Sequence, residues 1–342
     1  MPAVDIESGL ERYRSMVMPG LLAALSDREP RRYLYDLIAN HLRRMGKGLR
    51  PALCIATTEA FGGQAAHAVP SAGALEMLHN AFLIHDDIED GSESRRDRPT
   101  MFVEHGLPLA VNAGDAMQAL AIRMLKDNVQ VVGPEIAWQI VGEFDHLLMR
   151  SLEGQALELG WVRENNCAVT EEDYLTLVLK KTCWYSFIHP CRIGALIARG
   201  PDFDLSSFDR FGFLLGAAFQ IQDDVLNLVG DRQKYGKEIG GDLWEGKRTL
   251  ILAHLFDRLG DRDASRLRGI LRKARVDKLP GEIDWIYQQL GRHGSIDFAR
   301  AAARELAEAT ARELEVAYRD APNRGPKALI QQLVRYTIER EV

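Results

Sequence analysis

Residues 77–90 read MLHNAFLIHDDIED, and this stretch decides the fold class. Its apolar residues recur three and four positions apart, which is the period of an α-helix. In a helix, Asp86 and Asp90 project on one face with Asp87 beside them. The apolar residues before them are too many for an exposed face, so the acids are expected at the mouth of a buried space.

A second acid pair ends a similar apolar run. The stretch FQIQDDVLN at 219–227 carries Asp223 and Asp224 after the apolar residues 211–221. Carboxylates this close repel unless a cation lies between them, and either Arg95 or Arg96 is a candidate for the first cluster. A divalent ion is the stronger candidate, because Mg²⁺ takes oxygen ligands and commonly shares them with substrate phosphates. For one cluster alone, a solvated acidic helix end remains an open interpretation.

Basic turns flank both acid clusters. GKGLRP at 46–51 and RRDRPT at 95–100 bracket the first, and GK at 236–237 and EGKRT at 245–249 follow the second. Glycine lets a backbone approach a ligand closely, while arginine and lysine suit phosphate groups. The arrangement indicates a polyanion held by cations and bridged to carboxylates by metal. Neither a P-loop nor a dinucleotide-binding glycine pattern is present.

Composition narrows the remaining choices. The 342 residues are 46% apolar and 27% charged, with a net charge of −6, which argues against a surface built for nucleic acid. We find strand-like alternation almost nowhere and no linker, so we expect one all-helical domain over residues 1–342. No stretch has the apolar length of a membrane span, and the N-terminus lacks the pattern of a signal peptide. Four scattered cysteines fit free thiols in the cytoplasm.

In the same order along residues 46–249, GKGLRP, EMLHNAFLIHDDIEDGSESRRDRPT, KKT, FQIQDDVLN and YGKEIGGDLWEGKRT resemble the trans-isoprenyl diphosphate synthases, or polyprenyl synthetases. The resemblance implies an all-α bundle of ten or more helices around a central apolar cavity, usually as a homodimer. It implies that isopentenyl diphosphate is added head to tail to an allylic diphosphate, with about three Mg²⁺ ions at the site.

The resemblance also assigns roles to individual residues. The metal ligands it implies are Asp86, Asp90 and Asp223, supported by Asp87 and Asp224. Catalysis would rest on these three ligands together with Lys181 and Lys237. The allylic diphosphate would be held by Arg95, Lys181, Thr182, Gln220, Lys237 and Lys247. The site for isopentenyl diphosphate would comprise Lys47, Arg50, His79 and Arg96.

Two positions depart from the family pattern, and two others bear on product length. Asn227 stands where the second motif usually ends in Asp, and Asp97 stands where Gly usually follows the arginine pair. We interpret Asn227 as tolerated.

Two residues of the first motif helix bear on product length. Phe82 lies one turn before Asp86, and Ala81 lies on the neighbouring stripe of the helix. The resemblance favours a C20 product, geranylgeranyl diphosphate, which is expected if Ala81 lines the cavity floor. The alternative is a C15 product, farnesyl diphosphate, which is expected if Phe82 does.

Three other functions fit these motifs less well than chain elongation. A class I terpene cyclase also uses an acid motif and Mg²⁺, but it needs no site for isopentenyl diphosphate, so the family match of Lys47, Arg50 and His79 argues against it. An inactive partner subunit loses aspartates that are present here. An acidic helical scaffold without chemistry does not explain the basic turns.

Overall fold

The computed structural model describes residues 6–44, 46–96, 98–230 and 238–338, and this part of the chain is almost entirely helical. The prediction of an all-α fold is confirmed. The first helices are α1 (Ile6–Ala23), α2 (Asp36–Arg43), α3 (Leu49–Ala60), α4 (Ala65–Glu89), α5 (Met101–His105), α6 (Leu107–Met124), α7 (Asn128–Val132), α8 (Pro134–Arg163) and α9 (Glu171–Val178). They are followed by α10 (His189–Arg199), α11 (Ser207–Val229), α12 (Gly241–Glu245), α13 (Leu250–Arg258), α14 (Asp261–Leu271), α15 (Pro280–Arg292), α16 (Ser295–Ala317) and α17 (Arg324–Ile338).

Shorter helical turns connect some of these elements. Two are π-helical and two are of the 3₁₀ type: Arg31–Tyr35, Leu179–Ile188, Leu125–Asp127 and Arg275–Asp277. The longest helix, α8, has 30 residues. Among the described helices we find none that combines the length and the apolar content a membrane crossing requires.

The described residues group into two compact units. The first unit comprises residues 6–147, 185–211 and 313–333, and the second comprises 148–184, 212–312 and 334–338. Each unit is therefore assembled from three separate stretches of chain. The prediction of a single domain over 1–342 stays a prediction.

Helix α4 is the centre of the first unit. It packs against α1, α3 and α6, and its buried residues lie on all of its sides rather than along one stripe. A helix that is apolar all round belongs inside a core. Because the apolar stretch ends at Ile84, the acids that follow it lie at the C-terminal end of a buried helix, as the sequence predicts.

A short antiparallel strand pair follows α4. Gly91 takes a φ of +64°, where glycine carries no steric penalty, and the helix ends just before it. Strands β1 (Ser94–Arg95) and β2 (Arg98–Pro99) then pair, with Arg95 opposite Arg98. This pair departs from the all-helical expectation, and it turns the chain back so that Arg95 returns to the acids of α4.

In the second unit, helix α9 and the π-helical turn after it carry the KKT motif. Thr170 caps α9 by accepting from the backbone N–H of Asp173, whose carboxylate accepts from the Thr170 backbone N–H in return. A Cβ at Gly154 of α8 would come within 2.7 Å of the Lys181 Cα. Glycine at this position therefore permits the close approach that places Lys181 beside α8.

Candidate functional site

The first acid cluster of the first unit is held by an arginine. Arg95 Nε donates to Asp87 Oδ1 at 2.7 Å, and Arg95 Nη2 donates to Asp86 Oδ2 at 3.3 Å. The Asp87 side chain is only 3% exposed and that of Asp86 25%. Burial lowers the pKa of Arg95, but the two carboxylates more than offset this and leave that pKa above its ordinary value. Arg95, one of the two arginines expected as a cation beside these acids, therefore lies next to them in the structure.

The basic turn at 46–51 lies in the same unit. Lys47 is exposed in the loop between α2 and α3, and Arg50 is half-buried on α3. Arg50 Nη2 donates to the Tyr185 hydroxyl and to Ser186 Oγ, both at 2.8 Å. Both of these hydrogen-bond partners are neutral, and the buried carboxyl of Glu76 interacts with Arg50 only electrostatically among the described residues. Its charge is thus oriented by neutral oxygens and remains available to an anion.

Arg96 lies against the glycine-flanked turn. Its Nη1 donates to the backbone carbonyl of Arg44. A Cβ at Gly46 would lie 2.6 Å from Arg96 Nη2, so glycine lets the turn and the guanidinium meet. The structure therefore brings Arg96 to the loop that carries Lys47.

Several buried polar atoms near Arg50 lack hydrogen-bond partners among the described residues. They are Arg50 Nε, Glu76 Oε2, His79 Nδ1 and Asn80 Oδ1. Burial lowers the pKa of His79 well below its ordinary value, and Arg50 lowers it further, so the imidazole is neutral at pH 7. Burial raises the pKa of Glu76 to about 6, although Arg50 and Arg96 oppose the shift. Buried polar groups are nearly always paired, so these atoms require partners other than the described residues.

In the second unit, a chain of hydrogen bonds connects the KKT motif to the second acid pair. Thr182 Oγ1 donates to Gln220 Oε1 at 2.9 Å, and Gln220 Nε2 donates to Asp224 Oδ1 at 2.9 Å. The Tyr174 hydroxyl donates to Asp224 Oδ2 at 2.7 Å. Burial, then the nearby charge of Asp242, raises the pKa of Asp224 well above its ordinary value. Asp223, by contrast, is only partly buried and lies beside this network.

The predicted lysines lie beside acids of their own unit. Lys181 Nζ forms an ion pair with Glu158. Lys247 Nζ lies 2.9 Å from Glu245 Oε2 and 3.9 Å from Asp242 Oδ1. Lys237, like Asp97, lies outside the described residues.

Asn227, the departure from the second motif, is buried. Its Oδ1 accepts from the backbone N–H of Asp242 at 3.1 Å, near the start of α12. The amide side chain therefore caps a short helix, which gives it a structural use.

The two residues considered for product length differ in their surroundings. Ala81 is completely buried, whereas Phe82 is partly exposed. The Phe82 ring meets the Tyr185 ring edge-on, with the ring centroids 5.4 Å apart and the ring planes at 84°. Phe82 thus contacts the same tyrosine that holds Arg50.

Within the described ranges, no three His, Cys, Asp or Glu side chains come together in a group that could hold a metal ion. The proposed ligands Asp86, Asp90 and Asp223 all offer oxygen, the donor type that Mg²⁺ requires. The donor chemistry therefore fits the expected metal.

Three residues that interact with the predicted site residues were not predicted from the sequence. They are Tyr185, Glu76 and Tyr174. Glu76 lies three residues before His79 on one helix face, a spacing that indicates proximity. Tyr185 follows the KKT motif by three residues. The contact with Tyr174 had no comparable signal, because it joins residues 50 positions apart.

Comparison with known proteins identifies the family. A family model described as polyprenyl synthetase matches residues 31–290. The chain belongs to the polyprenyl synthetase family. It is 32% identical to the short chain isoprenyl diphosphate synthase of Methanothermobacter thermautotrophicus, over all of this chain and 99% of that protein. The geranylgeranyl diphosphate synthase of Saccharolobus solfataricus is 30% identical over 86% of each chain.

Solved structures agree with this membership. The geranylgeranyl pyrophosphate synthetase of Pyrococcus horikoshii superposes with a TM-score of 0.84 at 29% identity, covering 98% of this chain and 99% of that one. Membership in the polyprenyl synthetase family makes this protein a prenyltransferase, as the motifs predict.

Proposed function

We propose that the protein adds isopentenyl diphosphate head to tail to an allylic diphosphate and releases geranylgeranyl diphosphate as its main product. The relatives named for a C20 product support this length, and the Saccharolobus solfataricus enzyme is one of them.

The observation that carries the proposal is the setting of Arg50. Its guanidinium donates to neutral hydroxyl oxygens, and buried polar atoms of Glu76 and His79 that have no hydrogen-bond partner among the described residues lie in the same unit. An arginine held by neutral oxygens offers a planar fork that matches a diphosphate. Such a site suits isopentenyl diphosphate, the substrate that a terpene cyclase does not bind.

We assign Mg²⁺ to the carboxylates of Asp86, Asp90 and Asp223, with about three ions in the loaded enzyme. A metal bound there would offset the negative charge that develops on the departing diphosphate. Asp87 and Asp224 support the ligands, since both are buried and hydrogen-bonded.

The chain's own cations act on the same charge. The allylic carbon–oxygen bond breaks, leaving an allylic cation and a diphosphate. Arg95, Lys181 and Lys237 are proposed to hold that diphosphate, and fixed cations do so without reorganising as the charge develops. The double bond of isopentenyl diphosphate supplies the electrons of the new carbon–carbon bond, and a proton then passes to the released diphosphate.

Orientation of the second substrate falls to the first unit. Lys47, Arg50 and Arg96 are proposed to bind its diphosphate, and neutral His79 to donate or accept one hydrogen bond. Apolar residues of α4 before the acid motif exclude water, which would otherwise capture the allylic cation.

The test is product analysis with a matched variant. The purified protein is incubated with isopentenyl diphosphate and a C5, C10 or C15 primer, with Mg²⁺ or with EDTA. Phosphatase treatment then releases prenyl alcohols for mass spectrometry. Asp297→Asn serves as the control for Asp86→Asn, because the Asp297 side chain is 84% exposed.

A C20 alcohol that requires Mg²⁺ and Asp86 is the expected result. A C15 alcohol would keep the reaction but replace the product by farnesyl diphosphate. A cyclic hydrocarbon made from the primer alone would indicate a terpene cyclase, and no turnover would favour an inactive partner subunit.

We further propose a homodimer. Helix α6 leaves Leu107, Val111 and Ile122 exposed, and α8 leaves Trp138 77% exposed and Val141 in part. Exposed apolar side chains of this size favour association. Light scattering is expected to give about twice the chain mass of 38.4 kDa for the wild type, and a smaller mass for Ile122→Glu or Trp138→Glu. A wild-type monomer would contradict the proposal.

A cytoplasmic location is also proposed. All four cysteines are unpaired, as expected where thiols stay reduced. Cell fractionation tests it, and recovery with a membrane or secreted fraction would contradict it.

A further inference from the structure

The side chain of Tyr185 contacts three other side chains, each of which has a different proposed role. Its hydroxyl accepts from Arg50 Nη2 at 2.8 Å, and the Arg50 Cζ lies 4.4 Å from the centre of its ring. The same ring meets Phe82 edge-on at 5.4 Å and lies 6.1 Å from the His79 ring. We call Arg50, His79, Phe82 and Tyr185 the tyrosine cluster.

We infer that Tyr185 is a positioning residue that fixes Arg50 for isopentenyl diphosphate and, through its ring, holds Phe82 as a side wall of the product cavity. The proposed C20 product assigns the floor of that cavity to Ala81. This inference rests on the proposed chain elongation. The sequence motifs assign neither role to Tyr185, because the residue lies outside all of them.

The hydroxyl carries the first part of the role. A guanidinium held by a phenol and a serine is oriented without being neutralised, so its charge still reaches a diphosphate. The Tyr185 hydroxyl donates to no acceptor among the described residues, so its own proton is free to meet an anion beside Arg50. Loss of the hydroxyl therefore weakens one substrate's site and leaves the ring in place.

The ring carries the second part. Edge-to-face aromatic pairs hold a defined geometry, and the planes of Phe82 and Tyr185 stand at 84°. Phe82 lies one helical turn before Asp86, and the two side chains therefore project from the same face of α4. Removal of the Tyr185 ring lets Phe82 move towards the vacated position. The space available to a growing chain then becomes larger, and a longer product is expected.

Ser186 provides a matched control. Its Oγ accepts from the same Arg50 nitrogen at 2.8 Å, but no ring contact with Phe82 is possible for it. Ser186→Ala thus removes one hydrogen bond to Arg50 and no aromatic contact.

The experiment measures steady-state kinetics and product length for Tyr185→Phe, Tyr185→Leu and Ser186→Ala. Tyr185→Phe is expected to raise KM for isopentenyl diphosphate about 5- to 10-fold, with kcat and the primer KM nearly unchanged and a wild-type product. Tyr185→Leu is expected to raise the same KM and lengthen the product. Ser186→Ala is expected to raise that KM with a wild-type product.

An unchanged KM for isopentenyl diphosphate in Tyr185→Phe overturns the inference. So does an equal rise of both KM values, which indicates a general structural role. Should Tyr185→Leu fail to fold, Tyr185→Phe still decides the first part, and Tyr185→Met, which removes the ring but keeps a long side chain, decides the second by giving a longer product. A wild-type product in a folded variant without the ring overturns the second part. Wild-type protein that makes no prenyl alcohol refutes chain elongation itself, which separates the two failures.

Discussion

The guanidinium of Arg95 lies against the carboxylate of Asp87, with Nε 2.7 Å from Oδ1, although the two residues are eight positions apart and only one belongs to a helix. The strand pair β1–β2 produces this contact by turning the chain back after Gly91. The cation thus compensates a buried acid at the end of α4. The same cation is proposed to hold the allylic diphosphate, so stability and activity share one residue.

Replacement of Arg95 separates these two effects. Arg95→Gln leaves Asp87 buried without its ionic partner, which is expected to lower the free energy of unfolding by about 3 kcal/mol. Turnover is expected to fall by about 10²-fold, because a charge on the leaving group is no longer offset. Urea denaturation and steady-state kinetics measure both.

The double variant Asp87→Asn/Arg95→Gln is the control. It removes the buried charge together with its partner, so most of the lost stability should return while turnover stays low. Recovery of turnover in the double variant would show that Arg95 acts only on Asp87.

Asp86 is expected to matter for catalysis more than for stability. Asp86→Asn removes a proposed metal ligand whose side chain is 25% exposed. Loss of one charge contact, worth about 4 kcal/mol at 4 Å in a medium of dielectric near 20, corresponds to a 10²- to 10³-fold drop in turnover. Kinetics at rising Mg²⁺ concentration measure the drop, with Asp297→Asn as the control. Wild-type turnover in Asp86→Asn would exclude it as a ligand.

Glu76 is expected to make stability depend on pH. Burial raises its pKa from 4.5 to about 6, so the folded protein holds a proton that the unfolded chain releases between these values. Stability from the protonated acid is complete below pH 4.5 and is lost as pH rises through about 6. Glu76→Gln should therefore be more stable than the wild type at pH 7.5, by about 2 kcal/mol.

Urea denaturation at pH 4.5 and pH 7.5 measures this difference, which should be small at the lower pH. Glu93→Gln makes the same chemical change at an exposed position and should alter stability little at either pH. A Glu76→Gln protein that is less stable at pH 7.5 contradicts the expectation.

The sequence predicted the helical fold and the placement of the first acid cluster at the end of α4, because these depend on local periodicity. The expectation that the second acid pair also ends its helix was wrong, since α11 continues past Asp223 and Asp224 to Val229. It also predicted a cation beside Asp86 and Asp87, since like charges at that spacing require one. The partners of Arg50 were not predictable, because Tyr185 lies 135 positions away and the contact depends on packing. The strand pair was missed for a related reason: two residues per strand carry no alternation.

Product length is expected to respond to Phe82. Phe82→Ala removes a partly exposed ring one turn before Asp86, and the freed space should lengthen the main product by at least one isoprene unit. Mass spectrometry of the dephosphorylated products measures the shift. Phe102→Ala, on the short helix α5, is the control and should leave the product unchanged. An unchanged product distribution in Phe82→Ala would show that Phe82 does not border the product cavity.

Tyr174 is expected to support the second acid pair. Its hydroxyl donates to Asp224 Oδ2 at 2.7 Å, and Tyr174→Phe leaves that buried oxygen without this partner. The unfolding free energy should fall by about 1–3 kcal/mol. Turnover should fall by about 10-fold, as is usual when the partner of a metal-site carboxylate is lost. Tyr33→Phe is the matched control, because Tyr33 is exposed and the same hydroxyl is removed there. Denaturation and kinetics together decide the matter: a stable Tyr174→Phe protein with normal turnover would show that Gln220 alone suffices to hold Asp224.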